Sequence, residues 1–497
     1  MQDKNSESLL ITSQEREKTP LDNSLGKNIA TIKNAFGESF DLLIRRIIIE
    51  GVQCAVFSID GMCNEQRISD CILQPVTDLS FRKTSTADLY EQIEKLMYTG
   101  TDIKHLQYLE ENIQSIISGN LVLIADGFSH SLSFGAQGFS RKGISEPQSE
   151  QNERGSTEAF TDNFKDNATL MRRRLKTPAL KIEQLTLGKS SNTSVLLCYM
   201  SDRVSKDLLN SVKERLGRVR LDTVLGSGYI RPFLDSSRKS LFTDTGVTER
   251  PDVLSAMLSE GRIGIIVDGT PYAVIVPYLF ADYFHTPDDY LSRPYYAFFM
   301  RLLRFVCFLV ATALPGFFVA VCIFHPEIIP SDIMLDIVSA ENKTPFPLML
   351  EALIIHLIYE IVREAGLRMP KSIGHAVSIV GALVIGDAAV SAGLIAAPML
   401  IIVALTAISS SVISRLHEPI AILRFAFIIV GGLSGIYGVT LGVGLMLVDL
   451  CSPRPYKIPL SAPFSPFIFS AQRDTLFRTS WRKMGKKNNL IQGMKRG

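Results

Sequence analysis

Hydrophobic positions divide the chain into two unlike halves. Up to about Pro294 they come in short runs broken by charged and polar residues, whereas from Phe298 to Asp449 they merge into long stretches with few charges. Before Pro294 a single pattern occurs twice. Gly119–Gly127 reads GNLVLIADG and Gly261–Gly269 reads GRIGIIVDG, each followed by a second extended run, FSHSLSF and TPYAVIVP. Asp-Gly between β-prone runs predicts a tight hairpin, because glycine accepts the positive φ of the turn. A strand candidate precedes each hairpin, CAVFS at 54–58 and SVLLCYM at 194–200. In DRVSKDLLNSVKERLGRV the apolar residues recur at three- and four-residue spacing, which predicts a helix. The pattern therefore predicts two duplicated cytoplasmic α/β subdomains, at 27–135 and 185–292, each with a small mixed sheet.

Between them, residues 136–184 are dense in charge. Glu146, Glu150, Glu153, Arg154 and Glu158 precede the triplet Arg172, Arg173, Arg174. Two readings stand side by side: a linker with a solvated helical face, or a segment that docks on a neighbouring subunit through charge pairs. Residues 1–26 are polar, lack the apolar core of a signal peptide, and read as a mobile tail on the cytoplasmic side.

The apolar half, 293–455, reads as a polytopic helical membrane domain. Leu302–Phe324 meets the requirement of about 20 apolar residues for a crossing, with Arg301 and Arg304 at its amino end. The loop beyond it is acidic, so the arginine side is cytoplasmic by the positive-inside rule. Leu348–Gly366 is apolar yet carries Glu351, His356, Glu360, Arg363 and Glu364. The last four share one helical face, and Glu351 falls near the opposite side. Charges at this depth normally face water or a partner, so the face either sits near the cytoplasmic interface or lines a polar path between subunits. Ile373–Leu394 is a clear span with small residues at close-packing spacing and one charge, Asp387. Two more apolar stretches follow, 398–413 and 419–450. The second is too long for one simple span, and Gly431, Gly432, Gly435 and Gly438 are candidate break points. The tail, 456–497, is basic from Gln472 onward and should lie inside, near anionic lipid heads. With both ends inside, four or six spans are allowed.

Composition adds mainly exclusions. Lys+Arg 52 against Asp+Glu 50 gives no reason to propose a nucleic-acid partner. Seven scattered cysteines, with no CxxC pair, read as free thiols rather than a metal site. LGKSS at 187–191 resembles the end of a phosphate-binding loop, but Glu183 stands where that loop needs glycine. The histidines form no HExxH or triad-like group. No enzyme, cofactor or metal is expected.

Four blocks resemble one known family. They are SEPQSEQNERGSTEAFTDNFKDNATLMRRRLKTPAL, then TERPDVLSAMLSEGRIGIIVDGTPYAVIVPYLFADYF with HTPDDY, then LEALIIHLIYEIVREAGLRMPKSIGHAVSIVGALVIGDAAVSAGLIAAPMLIIVALTAI, and the closing SPRPYKIPLSAPFSPF. In this order they resemble the A subunit of the GerA-type spore germination receptors, along almost the whole chain. The resemblance implies a complex with B and C subunits in the spore inner membrane, both ends of this chain facing the spore core. It implies nutrient binding by the B subunit, a homo-oligomeric A subunit conducting monovalent cations, and no catalytic role. A scaffold role, or one beside the machinery that exports dipicolinic acid, is the alternative it leaves. A secondary transporter ranks lower, because no repeat is seen among the spans. Candidate polar residues of the path are Glu351, His356, Glu360, Arg363, Glu364 and Asp387. Candidate assembly or gating residues are Glu146, Arg154, Gly155, Glu158, Asn167, Arg172, Arg173, Arg174, Arg250, Pro251, Asp252, Asp268 and Gly269. The chain departs from the family pattern at Ser156, where Pro is usual, at His375 and Asp387, where Gln is common, and across SSSVISRLHEP.

Overall fold

The computed structural model describes residues 19–37, 39–49, 51–63, 90, 103–136, 138, 146–147, 149–236, 240–369, 386–468, 471–479 and 491. The first unit opens with α1 (Leu25–Phe36), whose Leu25, Ile29, Ile32 and Phe36 recur along one buried face. Strands β1 (Leu42–Ile49), β2 (Val52–Ile59), β3 (Ile103–Leu106), β4 (Leu121–Ala125) and β5 (Ser131–Phe134) follow, with α2 (Leu109–Ile117) between β3 and β4. The sheet order is β1-β2-β4-β5-β3. Both faces of its central strands are apolar. Phe57, Val122 and Ile124 pack beneath α1 and α2, and Val56, Leu121, Leu123 and Phe134 form the opposite side.

The second unit repeats that order. Helix α3 (Phe164–Arg174) leads into β6 (Leu180–Leu187) and β7 (Thr193–Met200). Then come α4 (Lys206–Gly217), α5 (Ser227–Leu234), β8 (Gly246–Thr248), α6 (Pro251–Ser259), β9 (Ile263–Val267) and β10 (Ala273–Val276). The sheet runs β6-β7-β9-β10-β8, the same succession as the first. Both Asp-Gly hairpins form as expected, with φ of +86° at Gly127 and +83° at Gly269. Among the described residues the expected mixed sheets are not found: every strand pairing is antiparallel. The excursion between the second and fourth strands of each sheet contains an edge strand and helix. It returns the chain from the far end, so the strands run opposite ways. Strand β6 begins inside the stretch that its charge density marks as linker.

Helices α4 and α5 cover one face of the second sheet. On the other, α3 and α6 pack through Met171, Leu254 and Leu258 into a core that continues without a break into the helical domain through Phe242, Phe280, Phe284 and Phe308. Phe284 stacks on Phe305 at 3.8 Å between ring centres. The described residues of the expected tail join this junction: Leu460 is buried, and its carbonyl accepts from Phe280 N at 3.0 Å.

The helical domain comprises α7 (Pro287–Leu291), α8 (Pro294–Phe324), α9 (Ser331–Glu341), α10 (Leu348–Arg368), α11 (Ala397–Val412) and α12 (His417–Cys451). Pro294–Phe324 and Ser414–Cys451 are long and apolar enough to cross a membrane. At 31 residues α8 rises about 46 Å, more than the ~30 Å hydrocarbon core needs. Most of Ile373–Leu394 lies outside the described residues.

Helix α12 is bent double. Gly435 takes φ 61°, ψ −151° within it. A Cβ on Gly442 would meet the Phe427 ring at 2.8 Å, and one on Gly438 would meet Val430 at 2.8 Å. Residues so far apart in sequence touch only if the two legs fold back on each other, because a straight helix separates them by about 12 Å or more. Both leg ends accordingly reach the α/β units or the segment bound to them. Asp449 accepts from Ser240 Oγ and Leu241 N at 3.1 Å each, and Arg415, just before the first leg, reaches Glu150.

Candidate functional site

The helical domain brings Glu360, Arg363, His417 and Arg424 together in one cluster. Arg424, on the first leg of α12, is fully buried. Its Nε donates to the Ala311 carbonyl of α8 at 3.0 Å, and its Nη1 lies 3.3 Å from Glu360 Oε1 of α10. Glu360 Oε2 faces His417 Nε2 at 3.3 Å and Arg363 Nη1 at 3.7 Å. Arg363 also lies against His417 Nε2. That nitrogen donates to Glu360 when it carries a proton and accepts from Arg363 when it does not. One carboxylate thus stands among two guanidinium groups and an imidazole, and the cluster ties α8, α10 and α12 together.

The other expected path residues lie apart from it. His356 is buried one turn away, with Nδ1 2.8 Å from the Ala352 carbonyl and Nε2 3.4 Å from Thr406 Oγ1 of α11. Glu351 is buried near the far end of α10 and accepts from Ala396 N at 2.7 Å. Glu364 is exposed and pairs with Arg368 at 2.7 Å, and Asp387 is exposed. Sequence reading missed Arg424 and His417. Arg424 had a usable signal, being the lone charge inside the apolar run 419–450 before Asp449.

The soluble candidates divide in the same way. Arg172 is completely buried and forks onto Asp41 of the first unit, Nε–Oδ2 2.6 Å and Nη2–Oδ1 3.0 Å, while Nη1 donates to Leu180 O at 2.9 Å. Arg173 and Arg174 share Glu158, at 3.3 and 2.8 Å. Ser156 accepts from Arg174 at 2.6 Å through its hydroxyl, which proline could not do. Asn167 closes the turn before α3, with Oδ1 accepting from Thr161 N and Nδ2 donating to Thr161 O. Asp268 Oδ1 accepts from Phe164 N at 3.3 Å, and Gly269 N donates to Asp162 O at 2.8 Å. Arg250 forks onto Asp252 at 3.1 and 2.7 Å and donates to the Glu150 and Ser156 carbonyls; Pro251 starts α6. Glu146, Arg154 and Gly155 are exposed. Within the chain, then, Arg173, Arg174 and Arg250 hold the segment 149–158 on the second unit.

Where the α/β and helical regions meet, Arg304 holds Asp289 at 2.8 and 3.0 Å, and Arg301 lies 3.2 Å from the same carboxylate. Burial alone would raise Asp289, but these two arginines hold its carboxyl below the ordinary value. Asp244 shows the opposite balance. It is fully buried, and although Ser236 hydrogen-bonds to it, burial pushes its carboxyl up to about 7 from 3.8. A raised folded-state value means that its stabilising contribution is complete below about pH 4 and is lost as pH rises toward 7. Stability should therefore fall between pH 5 and pH 8 through this carboxyl, with the neighbouring Asp235 acting in the same direction as burial. In Asp244→Asn that component should vanish, so the variant's thermal midpoint should exceed the unaltered chain's at pH 8 and gain least at pH 5. Equal pH dependence in both would refute it.

The sequence profile of the family described as "Bacillus/Clostridium GerA spore germination protein" matches residues 30–490. Spore germination protein KA of Bacillus subtilis (strain 168) is 38% identical over 475 residues, covering 94% of this chain and 87% of that one. The uncharacterized membrane protein YfkQ of the same organism is 34% identical, covering 95% and 92%. Spore germination protein A1, also from B. subtilis, is 26% identical, covering 95% and 97%. Among solved structures, the N-terminal domain of the A subunit of the Bacillus megaterium spore germinant receptor GerK3 is 29% identical, with a TM-score of 0.43, over 53% of this chain and 99% of that one.

Proposed function

The chain belongs to the GerA spore germination protein family, and from that membership we propose that it is the A subunit of a nutrient germinant receptor, forming part of a gated path for monovalent cations. It would work in the spore inner membrane beside B and C subunits, with the nutrient bound by the B subunit and several copies of this chain around the path. It would have no catalytic role. The observation that carries the conducting role is the Glu360 cluster. Charged groups among apolar helices cost at least about 2.5 kcal/mol each on insertion scales, so they persist where water or a partner compensates them. We place six crossings in the membrane: one each from α8, α10 and α11, two from the legs of α12, and one read from the apolar sequence Ile373–Leu394 alone. The bend at Gly435 supports this count, since it returns Asp449 to the side where α8 begins.

One observation favours a second reading, a non-conducting coupler: Glu360 already has its partners inside one chain. Cation flux through liposomes that hold the assembled A, B and C subunits separates the two. On the conducting reading, Glu360→Gln changes nutrient-triggered flux or its cation preference several-fold while the complex still assembles. An assembled, nutrient-binding complex that stays ion-tight would make this chain a coupler.

A further inference from the structure

We propose that Glu150 and Arg415 form a latch through which the soluble units position the Glu360 cluster; this rests on reading that cluster as the regulated element of the membrane domain. Glu150 is tied down on every side. Its N donates to Glu249 Oε1 at 2.7 Å, its carbonyl accepts from Arg250 Nη1 at 3.2 Å, and its Oε2 accepts from Thr248 Oγ1 at 2.6 Å. Thr248 ends strand β8, so Glu150 moves with the second sheet. The remaining oxygen, Oε1, takes Arg415 Nη2 at 2.6 Å.

Arg415 belongs to the 3-10 turn Ser414–Leu416 that joins α11 to α12, and its Nη1 also donates to Tyr278 Oη at 2.8 Å. Tyr278 lies on the strand-to-helix passage that leaves the second sheet. Two residues after Arg415, His417 points the other way, its Nε2 3.3 Å from Glu360 and its Nδ1 3.4 Å from Ser410 Oγ. Ile413 and Leu416 are buried, so the turn is packed on both sides and offers little slack. A shift of the sheet relative to the helices therefore pulls on Arg415 and carries His417 away from Glu360 or toward it. Glu150 and Arg415 are positioning residues in this scheme. They touch no ion; they set whether Glu360 stays neutralised by its own chain.

The test reads the cluster directly rather than through conduction. The full chain, with its partner subunits in lipid nanodiscs, is treated with a membrane-permeant carbodiimide, and modification of Glu360 is quantified by mass spectrometry. Backbone hydrogen exchange over residues 409–420 is followed in parallel. Glu150→Gln and, separately, Arg415→Gln should each raise Glu360 modification and local exchange several-fold. Joining Glu150→Arg with Arg415→Glu should return both toward the unaltered values. Glu214→Gln, at an exposed pair on α4, serves as the control and should change neither. Unchanged Glu360 modification and exchange in a folded Glu150→Gln or Arg415→Gln chain would overturn the latch. Because neither readout needs ion flow, a rise in both, in a complex that proves ion-tight, would uphold the latch and remove only the conducting role.

Discussion

Arg172→Ala is expected to be among the most damaging single changes in the soluble units, costing about 3–5 kcal/mol and lowering the thermal midpoint by on the order of 10 °C. The guanidinium satisfies both oxygens of Asp41, and all of these atoms are shut away from water. Truncating the arginine leaves a buried carboxylate without its hydrogen-bonded counter-charge and leaves Leu180 O without this donor. The cost is therefore the exposure of Asp41's charge to a low-dielectric interior, more than the loss of an attraction. Two companions test that account. Arg172→Lys keeps the charge but loses the fork, so it should recover only some of the stability. Arg172→Met joined with Asp41→Leu removes both charges and should be milder than Arg172→Ala alone. If the double change proves worse than the single one, the pair contributes net attraction, and the desolvation argument fails. Melting of the full chain by circular dichroism gives all three values.

This pair also marks the limit of what can be read from the chain. Arg172 and Asp41 lie 131 positions apart, and nothing near either residue announces the other. What can be read is local. The Asp-Gly turns at Gly127 and Gly269 are legible because their chemistry lies within a few residues, as is the periodic face of α4. Strand β6 is hidden, because the charge run before it draws the linker on through Leu180, and because its apolar residues change face midway: Leu180 and Ile182 lie on one side, Leu185 and Leu187 on the other, so no single alternation runs along it. The sense of the sheets is not legible either, since strand direction depends on where a long excursion returns. In the helical domain, Glu360 stands out as a charge among apolar residues, and Arg424 does so by the same rule. Their meeting with His417 does not, because it depends on α10 and α12 reaching one level. Gly435 is one of four glycines in a row of candidates. The bend falls at Gly435, the one of the four with a positive φ, and a Cβ there would also stand 3.1 Å from Phe324 at the end of α8.

Gly431→Leu is expected to prise α8 and α12 apart and cost about 3 kcal/mol. A Cβ on Gly431 would lie 2.3 Å from the Gly316 carbonyl oxygen, and one on Gly316 would lie 2.3 Å from Phe427 O. Each obstacle is backbone, so no rotamer change relieves it, and the helices must separate. Separation would draw Ala311 O away from Arg424 and loosen the Glu360 cluster a few turns below. Even Gly431→Ala should therefore lower the thermal midpoint, although alanine favours a helix by about 1 kcal/mol over glycine. Gly444→Ala supplies the contrast on the same helix. Nothing lies within 4 Å of its Cβ position, so there the propensity term should act alone and the midpoint should hold or rise. Opposite signs for the two glycine-to-alanine changes, measured in one detergent, would locate the closest helix contact at Gly316 and Gly431. Equal signs would mean that the crossing has room for a methyl group, and that close backbone packing does not set the level at which Arg424 meets Glu360.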